Sequence, residues 1–207
     1  MSDDQSDRRQ TFDALFASDP DPWGFEHSEY EATKRHATLA ILFPDRFKRA
    51  LEIGCANGIL TAELATICET VLALDVSSEA LQLAARRVGT LGNVSLARAE
   101  VPREWPDDTF DLIVFSEILY FLSEDEISQV AQLAWKSLTE EGVCLLVNWT
   151  GPNDLPLNGA EASEIFTRDL PWLKAADGVW PLYRIDRLHK ARGRGEPRAA
   201  AGDICDK

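Results

Sequence analysis

Apolar positions along this chain follow two rhythms that alternate. Short, mostly apolar runs recur as RALEIG, TVLALDV, NVSLARA, FDLIVFS and VCLLVNW, each of a length and composition that suits a buried strand. FDLIVFS is almost continuously apolar, as a strand covered on both faces should be. Between these runs lie segments of helical length. GILTAELATIC follows the first strand. EALQLAARRVG follows the second, with Ser77 and Ser78 placed to cap its start and Gly89 to stop it. A helix over residues 124–138 follows the fourth strand, opened by Ser123 with Glu126 three residues on, the spacing of a capping box. Glu141–Gly142 reads as the turn into the fifth strand. Strands separated by helix-length segments are β-α-β units, so the pattern predicts an α/β, doubly wound, mainly parallel sheet.

The ends of the chain differ. Residues 1–10 and 191–207 are polar and without periodicity, and both read as disordered tails. Residues 11–47 are rich in aromatics and proline. Tyr30, Thr33, Ala37, Ala40 and Ile41 recur there at near-helical spacing ahead of Pro44. Beyond Trp149, TGPNDLPLNGAEASEIF reads as a loop and a short helix. PWLKAAD and PLYRIDRLHK then read as an antiparallel hairpin, with Asp177–Gly178 between them. The main domain is expected over residues 48–190.

Composition narrows the classes. At 207 residues with 45% hydrophobic content, the chain can build one substantial core. A formal net charge of −14 and a pI near 4.6 repel phosphate backbones, which argues against a nucleic-acid partner. Cys55, Cys68, Cys144 and Cys205 include no C-x-x-C pair, and the three histidines are scattered, so no metal site is expected. Neither a signal-peptide pattern nor a membrane-length apolar run is present, and a cytoplasmic protein with no membrane association is expected.

The chemistry concentrates at the strand ends. LEIGCANG places Glu52, Gly54 and Gly58 where the first strand meets the first helix, the end of the sheet where doubly wound folds bind ligands. Two glycines there are expected to let the backbone turn sharply and approach a ligand. A dinucleotide fingerprint needs a further glycine that this loop lacks. An acid ahead of the turn would also repel a pyrophosphate, yet accept hydrogen bonds from a cationic amino group. The spacing therefore favours S-adenosylmethionine, which carries an amino-acid moiety and no phosphate, over a nicotinamide cofactor. Asp75 closes the second strand, 21 residues beyond Gly54, where an acid suits ribose hydroxyls or caps a helix. Glu100, after the third strand, suits an adenine amino group or simple solvation.

LEIGCANG, LALDVS, FDLIVFSEILYFL and LTEEGVCLLVNW, in that order over residues 48–149, resemble the motif series of class I S-adenosylmethionine-dependent methyltransferases. The resemblance implies a Rossmann-like, seven-stranded sheet with an antiparallel last strand. It implies cofactor contacts from Glu52, Gly54, Cys55, Gly58, Asp75, Val76, Glu100, Val101 and Ser116. One departure is Ala56, where many members have glycine. Upstream, DPWGFEHSEYEATKRHATL, together with SEILYFL, resembles the nodulation protein S methyltransferases. That implies a segment over residues 11–47 that covers the cofactor through Trp23, Tyr30 and Arg35. It further implies N-methylation of a small acceptor, an amino sugar or deacetylated chitooligosaccharide, with O-methylation of another small metabolite or polysaccharide precursor as the alternative. The likeness fades after Trp149, where acceptor choice would be set.

Read physically, Trp23 and Tyr30 suit an aromatic wall over a sulfonium or a staple for the N-terminal helix. Arg35 suits the methionine carboxylate or the surface. In the methyltransferases this chain resembles, the position of Glu117, just past the fourth strand, faces the transferring methyl. Glu117 therefore suits orienting the cofactor or an amine, or capping a helix, and Tyr120 suits stacking on an acceptor ring or packing. His27 stands in the DPW segment as a candidate base. Oligomeric state is not legible in the sequence.

Overall fold

The structure is a computed structural model that describes residues 3–191, with side chains from residue 8. Its strands are β1 (Phe47–Ile53), β2 (Cys68–Asp75), β3 (Val94–Arg98), β4 (Phe110–Ser116), β5 (Leu138–Trp149), β6 (Trp172–Val179) and β7 (Tyr183–Lys190). They form one seven-stranded sheet in the order β3-β2-β1-β4-β5-β7-β6. β1 to β5 pair in parallel, and β7 runs antiparallel to both of its neighbours. The strand order reverses between β1 and β4, and ligands of such sheets bind in the crevice at that switch point.

The helices are α1 (Asp3–Ser18), α2 (Glu29–Leu42), α3 (Ile59–Leu64), α4 (Ser78–Val88), α5 (Glu124–Ser137) and α6 (Gly159–Arg168). Successive strand side chains point to opposite faces, so β4 feeds two cores at once. Leu112 and Val114 pack with Leu42 of α2, Leu64 of α3 and Ala84 of α4. Ile113 and Phe115 pack with Ile127 and Val130 of α5 and with Phe166 of α6. That double burial is why FDLIVFS carries almost no polar residue. The capping box of α5 forms between Ser123 and Glu126, and Ser77 caps α4. Among the described residues, no helix is long and apolar enough to cross a membrane.

Four local expectations are corrected. Residues 3–10 are not a disordered tail but the first half of α1. This helix has no apolar periodicity near its start and is held instead by charges on distant elements. Glu141–Gly142 is not a turn, because β5 already begins at Leu138 and absorbs an irregularity in its pairing with β4. The helix after β1 ends at Leu64, and Cys68 belongs to β2. Asp177–Gly178 lies inside β6, paired with Asp186 and Ile185, and residues 180–182 make the hairpin connection. Gly178 is accommodated in the strand because the Trp180 ring covers it, and a Cβ there would sit 2.2 Å from that ring. The expected tail over 191–207 lies outside the described residues from position 192 onward.

Candidate active site

At the carboxyl ends of β1, β2 and β4 the crevice widens into a cavity of about 580 Å³, roofed by α1 and the segment leading into α2. A smaller cavity of about 50 Å³ shares the walls Gly54, Lys34 and Glu117 with it, and is closed by Arg35, Glu52, Cys55 and Asn57.

The turn after β1 sets the floor. Gly54, Ala56 and Gly58 all take positive φ, at 80°, 48° and 77°. The glycines are needed mainly for protein packing. A Cβ on Gly54 would lie 2.1 Å from Ile118 Cγ2, and one on Gly58 would lie 3.0 Å from Ala84 of α4. Gly54 still lines both cavities, whereas Gly58 lines neither, which corrects its assignment as a ligand contact. Ala56 adopts the left-handed conformation that glycine takes at lower cost. It is held there by donating its N–H to Asp75 Oδ2 at 2.8 Å.

Two acids converge on this turn. Asp75 Oδ1 also accepts from the Ser77 N–H, at 2.8 Å. Burial pushes its pKa up to about 6 despite those bonds. Glu52 is 1% exposed, and its Oε2 has no hydrogen-bond partner. Burial pushes its pKa up to about 7. A buried carboxylate oxygen without a donor is costly, and an incoming cation with N–H donors would satisfy it. These residues fit the α-ammonium and ribose of S-adenosylmethionine.

A charge cluster lines the same cavities. Glu117 follows β4 with φ 64°, a strained conformation for a non-glycine residue. Its Oε1 accepts from Lys34 Nζ at 2.6 Å. Its Oε2 accepts from the Tyr120 hydroxyl at 2.6 Å and from the Trp149 N–H at 2.8 Å. Lys34 is buried on α2, bonds Glu31 at 2.9 Å and lies 5.2 Å from the Tyr30 ring centre. Desolvation raises the Glu31 pKa, and the Lys34 charge opposes that rise. Burial, the nearby Glu117 charge and the bond to it raise the Tyr120 hydroxyl pKa, making it a donor rather than a base.

The N-terminal cover is bound by charge and by rings. Arg8 and Arg9 of α1 pair with the buried Glu100, at 3.5 and 3.1 Å, and Arg8 also reaches Glu126 at 2.9 Å. Asp13 accepts from Ser77 Oγ at 2.8 Å, Ser78 N–H at 2.7 Å and Arg98 at 2.9 Å, which docks α1 on the N-terminus of α4. Trp23 packs among Phe12, Phe16 and Phe25 while lining the large cavity. Tyr30 packs edge-on against Trp149 and Tyr183, and its buried hydroxyl has no partner. Both rings therefore staple the cover and face the cavity.

Most sequence-identified residues are brought together here. Val76, Val101, Ser116, Glu117 and Tyr120 line the large cavity, and Cys55 lines the small one with its thiol buried. Arg35 also lines the small cavity, but its guanidinium already bonds Phe25 O at 2.8 Å and Glu63 at 3.3 Å. His27 is exposed on a turn and lines neither cavity, so it is corrected as a candidate base. His36 is exposed as well, and His189 bonds Gly142 O. Sequence reasoning missed Glu31, Lys34, Phe12 and Trp149. A charged pair at i, i+3 reads as surface until the tertiary fold buries it.

The chain matches the family model for nodulation protein S over residues 5–139. A nodulation protein S from Rhizobium tropici is 34% identical over 120 residues, 57% of this chain and 50% of that protein. The chain thus spans about half the length of the curated relatives it matches. A solved Pseudomonas syringae protein, provisionally described as a methyltransferase, is 31% identical over 78% of this chain and 99% of its own, with a TM-score of 0.70. The N-methyltransferase NodS from Bradyrhizobium japonicum WM9, in complex with S-adenosyl-L-homocysteine, superposes over 89% of this chain and 98% of its own with a TM-score of 0.75. At 22% identity it shows the shared fold.

Proposed function

The chain belongs to the nodulation protein S family, and we propose on that premise that it is an S-adenosylmethionine-dependent methyltransferase acting on the amino group of a small acceptor. An amino sugar or a deacetylated chitooligosaccharide is the acceptor class we favour. The observation that carries the cofactor reading is the buried Glu52 carboxylate, with its Oε2 left without a partner, beside Asp75 at the switch point. Glu52 would take the α-ammonium and Asp75 the ribose hydroxyls. Arg35, in the small cavity, would balance the carboxylate. Trp23, Phe12, Val76 and Val101 would enclose the nucleoside. When bound, the cofactor supplies an electrophilic methyl for in-line displacement.

The residues here then have one main task, to align the nucleophile and exclude water, which is worth several kcal/mol, up to about 7–11 in the best intramolecular cases. Glu117 Oε2 already accepts two hydrogen bonds and Oε1 accepts one. That leaves a single acceptor position for an N–H of the incoming amine. All three histidines lie outside the cavities. A hydroxyl acceptor would want such a base, whereas a neutral amine needs only to lose a proton after attack. This supports nitrogen over oxygen.

Calorimetric titration with S-adenosylhomocysteine tests the cofactor. The acceptor is tested with glucosamine-terminated chitooligosaccharides and their N-acetylated counterparts, with product fragmentation to place the methyl. Methylation of the amine alone is expected, because an amide nitrogen has its lone pair delocalised. Equal turnover of the acetylated sugar, or a methyl on oxygen, would overturn N-methylation.

A further inference from the structure

The cluster of Glu31, Lys34 and Glu117 has a composition that positioning alone does not explain. Glu31, Lys34 and Glu117 line both cavities, and they stand as two carboxylates sharing one ammonium, with Nζ 2.9 Å from Glu31 and 2.6 Å from Glu117. The Lys34 side chain is 6% exposed and that of Glu31 9%. Water therefore screens this cluster poorly, and its net charge acts strongly on whatever fills the cavity. Arg35, on the same helix, is turned to Glu63 and Phe25 O instead. Tyr120 and the Trp149 N–H supply Glu117 with neutral donors that add no charge.

We propose that Lys34 is a specificity-determining counter-charge, which cancels one of the two carboxylates and so sets how strongly this wall prefers a cationic sulfonium over a neutral thioether. The inference rests on the cofactor reading above, with the transferring methyl facing Glu117. The two forms of the cofactor differ by one positive charge at the sulfur. With both carboxylates uncompensated, the wall would hold the charged form too firmly relative to the product. With neither, it would lose the charged form to the product. Lys34 leaves one net negative charge, an intermediate setting.

The test needs no acceptor. Dissociation constants are measured by calorimetry at pH 8 for S-adenosylhomocysteine, whose sulfur is neutral, and sinefungin, which carries an amine at that place. Both share the nucleoside and amino-acid ends, so the change in the ratio of the two constants from parent to variant reports the charge at the wall. In Lys34→Met the ratio should move about tenfold toward sinefungin, and in Glu31→Gln about tenfold toward S-adenosylhomocysteine, opposite signs that simple loosening cannot produce. Lys34→Arg should keep the parental ratio. Weakening of both ligands in equal proportion would overturn the proposal, and would make Lys34 a ligand of the shared carboxylate or a packing residue. Should Lys34→Met not fold, Glu31→Gln alone decides, and an unmoved ratio there refutes the idea. Failure of the parent protein to bind either ligand would refute the cofactor reading itself, and this inference with it.

Discussion

Replacing Glu52 with glutamine should make the ligand-free protein more stable and a poorer cofactor binder at the same time. The side chain keeps its shape and loses its charge. Glu52 is 1% exposed with Oε2 unpartnered, and burial lifts its pKa from 4.5 to about 7. The folded state therefore holds the Glu52 proton more tightly than the unfolded chain does. This group favours the fold most below about pH 4.5, and stability falls as pH rises toward about 7, then levels off. A shift of that size corresponds to about 3 kcal/mol of folding free energy forgone at pH 8. Glutamine recovers part of it, about 1–2 kcal/mol, because its amide must also find partners. In a domain of this size that raises the melting temperature by about 2–8 °C. Binding moves the other way. Loss of a charge-assisted hydrogen bond of about 1.5–3 kcal/mol weakens S-adenosylhomocysteine about 10- to 150-fold. Thermal melts and calorimetry at pH 8 and pH 5 measure both arms, and both differences should shrink at pH 5, where the native carboxyl is itself protonated. A Glu52→Gln protein that binds the ligand as tightly as the parent at pH 8 would refute Glu52 as the ammonium acceptor. One that melts lower at pH 8 would show that the buried charge is compensated after all.

Three further outcomes follow from the same geometry. Affinity for S-adenosylhomocysteine should rise between pH 5 and pH 8, as Asp75 (about 6) and Glu52 (about 7) lose their protons. Calorimetry in buffers of different ionisation enthalpy should then show protons released on binding near pH 6, and a flat profile would count against both acids. Asp13→Ala removes the acceptor that ties α1 to Ser77, Ser78 and Arg98, and should weaken the ligand at least threefold while hydrogen exchange in residues 8–18 accelerates. Unchanged exchange would show that α1 is held without it. Gly54→Ala forces a Cβ to 2.1 Å from Ile118 Cγ2 at a φ of 80°. It should cost about 2 kcal/mol or more in denaturant titrations, with partial recovery in the double variant with Ile118→Ala.

What could be read in the residues was whatever depends on neighbours along the chain. The apolar run of β4 (Phe110–Ser116), the Ser123–Glu126 capping box and the Ser77 cap are local, and the structure has them where periodicity and cap spacing place them. The acids Glu52 and Asp75 were legible for a related reason: a strand followed by a tight turn puts its terminal side chain at one end of the sheet, whatever the strand order. Tertiary structure alone decided what depends on partners far away. The start of α1 has no apolar stripe to read, because its arginines are matched by Glu100 and Glu126, 92 and 118 residues distant from Arg8. Lys34 and Glu31 look like a solvated i, i+3 pair, and only the approach of Glu117 from β4 turns them into a buried cluster. His27 sits in a promising motif yet faces solvent, since a turn's local sequence does not determine which way it leans on the domain. Gly58 looks like room for a ligand and is room for Ala84. Local pattern reports a residue's conformation and its place on the sheet. Which charges neutralise one another, and which empty space belongs to a ligand, is settled only when the helices close over the strands.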